Sequence, residues 1–190
     1  LNCRFFMRQI RLNIFLFLFA VLYFTAVQAS DQVWLLVDTT KLTLEVKQEN
    51  KTLVTMNNIA IGQKGAGFKK HTGDDITPKG VYKIGWVNNK SRFYKFYGFN
   101  YPSVDNANEA LLSGLLSKRA HTAIVTAHKK NKVPPQNTKI GGQIGIHGLG
   151  EADKNIHKIM NWTHGCIALS NEQVDQLGQW IKKGTRVKVK

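Results

Sequence analysis

The chain has 190 residues, 43% of them hydrophobic and 21% charged, which suits one domain of ordinary size with a real core and excludes wholesale disorder. Its formal net charge is +15. Arg4, Arg8 and Arg11 fall in the first 29 positions with no acid among them, so the remainder carries +12. That surplus favours an anionic partner (nucleic acid, anionic lipid or an acidic wall polymer) by long-range attraction. Lysines scattered along the chain fit a generally basic solvated surface equally well.

Residues 1–29 read as an export signal. Arg8 and Arg11 supply the positive start, and Leu12 to Val27 is apolar apart from Asn13, Tyr23 and Thr25. Val27-Gln28-Ala29 offers small residues for cleavage after Ala29. The apolar run is short for a spanning helix, which needs ~20 residues. It also lacks the polar face and caps of a core helix. The domain is then residues 30–190, in the periplasm or cell envelope, touching membrane only through the signal segment. Met7 begins a signal of more usual shape than Leu1 does, and Cys3 would precede that start. Export leaves Cys166 as the only cysteine of the mature chain. Extracytoplasmic cysteines are usually paired, and a lone one is open to oxidation. Cys166 is therefore either a reactive thiol or a small buried hydrophobe.

Val33 to Val37 is an apolar, β-forming run, and Leu42, Leu44 and Val46 alternate with polar residues at the period of a half-buried strand. After a polar turn at residues 48–51, Leu53-Val54-Thr55 and Asn58 to Gly62 continue the meander. Gly62 to Asp75 is a loop; Gly65-Ala66-Gly67 lacks the context of a phosphate-binding loop. A strand follows Thr77-Pro78-Lys79-Gly80, running from Val81 to Val87. The aromatics from Phe93 to Tyr101, with Arg92 and Lys95 between them, resemble a stacking platform for single strands. They read better as core plus one lip of a substrate cleft, and no nucleic acid is expected. Val104 to about Lys118 has helical apolar spacing, whereas the basic segment 120–139, with Pro134-Pro135, reads as a surface connection or flap. Gln143 to His147 is a short strand. Ser170 and Gln173 form a capping box for a helix with the stripe Val174, Leu177, Trp180 and Ile181, ended by Gly184. Thr185 to Val189 alternates as a last strand.

The chemistry concentrates in Thr163-His164-Gly165-Cys166-Ile167 and in His147-Gly148 upstream. A thiol of ordinary pKa needs a base or a positive potential to act as a nucleophile. His147, on a strand, is the candidate base. Gly148 permits close approach by a substrate or by Cys166, and a helix starting near Ser170 would add positive potential. Gly165 would free backbone N–H groups for a developing oxyanion, buttressed by His164. Thiolate, imidazole and amide donors together point to acyl transfer through a thioester. A metal site from His147, His157, His164 and Cys166 is the rival, but the spacing carries no zinc signature. His157 is expected on the surface of a short helix, Glu151 and Asp153 as solvated charges, and His71, His121 and His128 exposed.

His147, the fifteen residues Gly148 to Trp162, then Thr163-His164-Gly165-Cys166-Ile167, together with Thr77-Pro78-Lys79-Gly80-Val81-Tyr82, resemble the two motifs of the L,D-transpeptidase catalytic (YkuD) domain. The resemblance covers residues 31–190. It implies a mainly β, α+β fold: a β-sandwich-like domain with mixed sheets, short edge helices and a C-terminal helix and strand. It implies that Cys166 attacks a peptidoglycan stem-peptide carbonyl, between a diamino acid's L-centre and the terminal D-alanine. His147 would be base and later proton donor, oriented by the Gly148 carbonyl, with His164, Gly165 and Cys166 shaping the oxyanion hole. The thioester would pass to an amine, cross-linking the wall or attaching a protein to it, with consequences for cell shape. The alternative is a hydrolytic L,D-peptidase of the same fold. Tyr82, Tyr101 and Thr163 are the candidate substrate-binding residues. No metal or organic cofactor is implied, and the expected state is a monomer. The chain departs from the pattern at Ala168, where many members carry Arg or Asn, and that bears on the choice of acceptor.

Overall fold

The structure, a computed structural model, describes residues 32–190; the expected export signal lies outside the described residues. In chain order the strands are β1 (Val33–Asp38), β2 (Thr43–Gln48), β3 (Lys51–Asn57), β4 (Ala66–Gly67), β5 (Thr77–Pro78), β6 (Gly80–Ser91), β7 (Tyr94–Phe99), β8 (Gly145–His147), β9 (Ile167–Ala168) and β10 (Arg186–Val189). The helices are α1 (Val104–Leu112), α2 (Lys118–Lys129), α3 (Lys154–Ile159) and α4 (Asn171–Gly178).

Alternation sets the first strands as expected. β1, β2 and β3 form an antiparallel meander, and Leu44 and Val46 of β2 are fully buried. The main sheet runs β3-β2-β1-β10-β6-β7-β8-β9, while β4 and β5 make a separate parallel pair. β6 serves both halves of the main sheet: Gly80 to Lys83 pair with β10, and Ile84 to Ser91 pair with β7. One core draws on both halves, joining Leu35, Val37, Leu44 and Val46 to Ile84, Phe99, Ile146 and Ile167, with Val174 and Leu177 of α4 packed among them. Burial of such side chains is the main stabilising term. No described helix is long and apolar enough to cross a membrane.

Four expectations change. Asn58 to Gly62 is not a strand of the meander. Asn58 sits at φ 57, which stops β3, and the segment makes single bridges instead, Ala60 with Ala168 and Gly62 with Thr163. The helix expected to reach Lys118 stops at Leu112, where Ser113 caps it and Gly114 turns at φ 70. The presumed flap then contains a second helix, α2, whose Ser117 accepts from the Ala120 N–H. α2 looked like a loop because Ile124 is the one residue it buries fully. Ile124 joins Ala107, Ala110, Leu116 and Ile140 in a second apolar cluster. At the other end of the chain the Ser170–Gln173 capping box forms, but α4 ends at Gly178, where the Gln179 N–H tightens onto the Gln176 carbonyl. Trp180 and Ile181 therefore lie in the following turn.

Removing Ile124 tests whether α2 is part of the packed domain. Ile124→Ala should cost about 2–5 kcal/mol in urea unfolding, as for other buried large-to-small changes. A loss near zero would mark α2 as the loose flap its composition suggests.

Candidate active site

The two key side chains share one strand face. β8 and β9 run parallel with Ile146 opposite Ile167 and His147 opposite Ala168. Continuing that register by one residue sets Cys166 opposite Gly145. Paired residues project to one side and the side alternates along a strand, so Cys166 emerges on the face of Gly145 and His147. Gly145 adds no side chain between them; a Cβ there would lie 2.4 Å from the Tyr97 carbonyl oxygen and 2.8 Å from Phe96. The Leu169 N–H donates to the His147 carbonyl at 2.9 Å. Ala60 brackets Ala168 with two backbone bonds of 2.8 and 3.0 Å.

His147 is buried, with its Nδ1 2.7 Å from the Gly148 carbonyl oxygen. A carbonyl only accepts, so Nδ1 carries the proton and Nε2 keeps its lone pair. Phe93 stacks on the imidazole at 4.4 Å between centroids and Trp162 meets it edge-on at 5.8 Å. Burial drives its pKa down to about 4, against the Gly148 bond, so the ring is neutral at neutral pH. Gly148 is small for a reason other than the one expected. A Cβ there would meet Asn171 Oδ1 at 2.6 Å and the Phe93 carbonyl oxygen at 3.0 Å. That Asn171 oxygen accepts from the N–H groups of Leu149 and Gly150, fixing the chain just after the histidine.

The half-buried Cys166 thiol donates to the Gln143 carbonyl at 3.4 Å. Burial pushes its pKa up to about 11, opposed by the Gly145 backbone and by the positive charge of Lys69. The cation felt by the sulfur is thus a lysine, where sequence pointed to the start of α4. Thr163, also buried, ties the turn together: its Oγ1 accepts from the Gly165 N–H at 3.1 Å and donates to the Cys166 carbonyl at 2.7 Å. Its backbone bonds to the Ile61 carbonyl and the Gln63 N–H. Gly165 holds φ 124, and a Cβ on it would come within 2.6 Å of the Ile76 carbonyl oxygen. The His164 side chain turns outward, its Nδ1 2.7 Å from Asp75 Oδ1. That contact holds the Asp75 carboxyl below its usual range.

Other expectations are corrected. Tyr82 and Tyr101, expected at the substrate, are core residues, about 1% and 0% exposed, and neither lines the cleft that holds Cys166 and His147. The Tyr82 hydroxyl lies 2.9 Å from the Lys79 carbonyl oxygen and 3.0 Å from Asn106 Oδ1, and Tyr101 donates to the Ile140 carbonyl. His157 sits on a short helix but is buried, its Nδ1 accepting from the Trp162 indole N–H at 3.2 Å. Asp153 caps that helix, accepting from the Asn155 N–H. His121 and His128 are half-buried, and His128 Nε2 donates to the Pro102 carbonyl at 2.7 Å. His147, His157 and His164 thus turn to Gly148, Trp162 and Asp75. Among the described residues no three His, Cys, Asp or Glu converge as metal ligands. Ala168 is fully buried and is not among the residues that line the cleft.

Cys166 and His147 open into a cleft of about 620 Å³. Trp86, Asn88, Arg92, Phe93 and Phe96 of the β6–β7 hairpin form one wall, and Lys69, Thr72, Gly73 and residues 141–143 form the other. Arg92 lies 4.7 Å above the Phe93 ring. Among the described residues that line it there is no carboxylate. The aromatic stretch is therefore divided as expected, with Phe93 and Phe96 on the lip and Tyr97, Phe99 and Tyr101 in the core.

Residues 32–189 match the YkuD family, the L,D-transpeptidase catalytic domain. The chain belongs to that family. Among solved structures, the YkuD domain is similar to the helical cell shape determining protein Pgp2 of Campylobacter jejuni, with 22% identity, a TM-score of 0.56, and coverage of 84% of this chain and 47% of that one. It is similar to Bd1075 of Bdellovibrio bacteriovorus, with 18% identity, a TM-score of 0.55, and coverage of 87% and 50%. A mutant L,D-transpeptidase of Enterococcus faecium matches at 13% identity and a TM-score of 0.50, over 84% and 50%. At such identities the likeness is one of fold, and it includes the mixed sheet and short helices. The chain spans about half the length of these structures. No curated protein matches it.

The site's electrostatics set two pH limits. The folded-state pKa of His147, about 4, lies below the ordinary 6.5, so the unfolded chain binds the extra proton and stability falls as pH drops through that window. The Cys166 value of about 11 lies above the ordinary 9.0, so stability falls as pH rises from 9 towards 11. Iodoacetamide labelling of Cys166 against pH should accordingly show a midpoint above the ordinary thiol value. A midpoint at the ordinary thiol value of about 8.5 would contradict the upward shift, and only one below about 7 would mean a resting thiolate.

Proposed function

We propose that this YkuD domain is a cysteine acyl-transferase of peptidoglycan stem peptides, exported to the cell envelope. The observation that carries the reading is the pairing, in one cleft, of a thiol with a neutral imidazole whose Nδ1–H is held by the Gly148 carbonyl. That tautomer leaves Nε2 free to take the thiol proton. In the proposed reaction the sulfur attacks the donor carbonyl as His147 accepts that proton. The tetrahedral oxyanion collapses, the C–N bond breaks, and His147 returns the proton to the departing amine. An acceptor amine then attacks the thioester, losing its proton through His147 to the re-formed thiol.

The Gly165 N–H is taken by Thr163, so in this reading the oxyanion is met by the N–H groups of His164 and Cys166, in a turn shaped by Gly165. The absence of carboxylates from the cleft lining and the presence of Arg92 suit a donor that carries carboxylates of its own. The surplus of positive charge suits an anionic wall polymer.

Incubated with muropeptides, the wild-type domain should form a Cys166 adduct and release the terminal residue, and Cys166→Ala should do neither. Turnover by Cys166→Ala would remove the thiol from the chemistry. Adding an amine acceptor should give cross-linked products; trimmed stem peptides alone, with or without acceptor, would assign the hydrolytic alternative. Arg92→Ala should raise KM about 10-fold or more with kcat little changed, the scale of one charged hydrogen bond. An unchanged KM would place the donor's carboxylates elsewhere.

A further inference from the structure

We propose that Lys69, which lies outside both motifs, is a positioning residue that activates Cys166 by clamping the nucleophile turn and placing one buried positive charge beside it. The proposal rests on the reading of Cys166 as the nucleophile.

Lys69 is 3% exposed although its chain lines the cleft, an unusual place for a lysine. Its ammonium has three protons and three acceptors: Asp74 Oδ1, the Ile76 carbonyl at 3.4 Å and the His164 carbonyl at 3.4 Å. No proton is left for a substrate, so Lys69 acts through its neighbours. Those neighbours are specific. His164 stands two residues before the cysteine. The Ile76 carbonyl is the group against which Gly165 packs, so closely that no side chain fits. One ammonium therefore draws together both sides of the tightest contact in the turn.

The clamp has its own anchor. Burial alone would raise the Asp74 carboxyl, but Lys69 and the amides of Ile76, Lys70 and His71 outweigh it and hold the group below its usual range. Those amides lie 3.2, 2.7 and 3.3 Å from its oxygens. Asp75, the next residue, grips the His164 ring. Residues 69–76 thus hold His164 by its carbonyl and by its imidazole. Gly141 closes over the lysine stem, where a Cβ would sit 2.9 Å from Lys69 Cε. The same cation lies within electrostatic reach of the sulfur, opposing the burial that keeps the thiol protonated.

The test needs no peptidoglycan. Iodoacetamide labelling of Cys166 is measured against pH in wild type, Lys69→Met and Lys69→Arg, with circular dichroism to report folding. Lys69→Met should move the labelling profile upward by about one pH unit, roughly a 10-fold loss of labelling rate at fixed pH. Lys69→Arg, which keeps the charge, should restore most of it. A folded Lys69→Met with the wild-type profile overturns the proposal, and so does a folded Lys69→Arg with the Lys69→Met profile. Should Lys69→Met fail to fold, Lys69→Gln, whose amide still donates to Asp74, replaces it with the same expected shift. Should neither neutral variant fold, Lys69→Arg decides, the wild-type profile being expected and its loss overturning the proposal. With muropeptide substrate, kcat should fall while KM holds; the reverse would make Lys69 a substrate-binding residue. Because labelling is independent of the donor, failure of the peptidoglycan reading leaves this result standing, and the converse also holds.

Discussion

The parallel pairing of β8 and β9 is the constraint on which the site depends. The two strands have three and two residues, too few to hold a register on ladder bonds alone. Their register is held from outside. β7 pairs with β8 on one side, Ala60 closes on Ala168 on the other, and Ile146 and Ile167 are fully buried between them. A slip of one residue would turn Cys166 to the opposite face from His147. The irregular segment after β3, which adds no strand to the meander, therefore helps keep Cys166 and His147 on one side. Thr163 extends the same tie through Ile61 and Gln63.

The same burial acts on both members of the pair, with opposite results for their pKa values and one result for their charge. The imidazole falls and the thiol rises, so each rests neutral. An ion pair formed in advance would have to be desolvated in that environment. In the proposed reaction a neutral pair separates charge only as the new bond to sulfur forms, when an oxyanion also appears nearby. The positive groups held in place beside it are backbone dipoles and the buried Lys69 ammonium, and neither must move when that charge develops.

Much of this was legible in the sequence where the signal is local. Alternation gave β1 and β2, the Ser170–Gln173 pair gave the start of α4, and the motif spacing singled out His147 and Cys166, two side chains that the structure brings into one cleft. What stayed hidden depends on contacts between distant parts of the chain. Lys69 and His164 are 95 positions apart, and nothing near Lys69 distinguishes it from the many surface lysines. Asn171 follows the capping Ser170 and carries no signal of its own, yet its side chain fixes the backbone after His147. Tyr82 and Tyr101 illustrate the converse. An aromatic beside a motif has the same local signature whether it faces a cleft or the core, and only packing against Phe99 and hydroxyl bonds to backbone carbonyls decide. α2 escaped notice because a helix that buries one isoleucine barely shows a period.

β10 lies between β1 and β6, in the interior of the main sheet, yet it is formed by residues 186–189. The strand that completes the sheet is thus the last one read from the sequence, and Trp34 finds its partner in Arg186. Until then two strand edges stand open and the two halves lack their link. Closing a loop of that length is an entropic cost that comes before most of the core can form. A topology with its keystone at the end delays folding until nearly the whole domain has been synthesised.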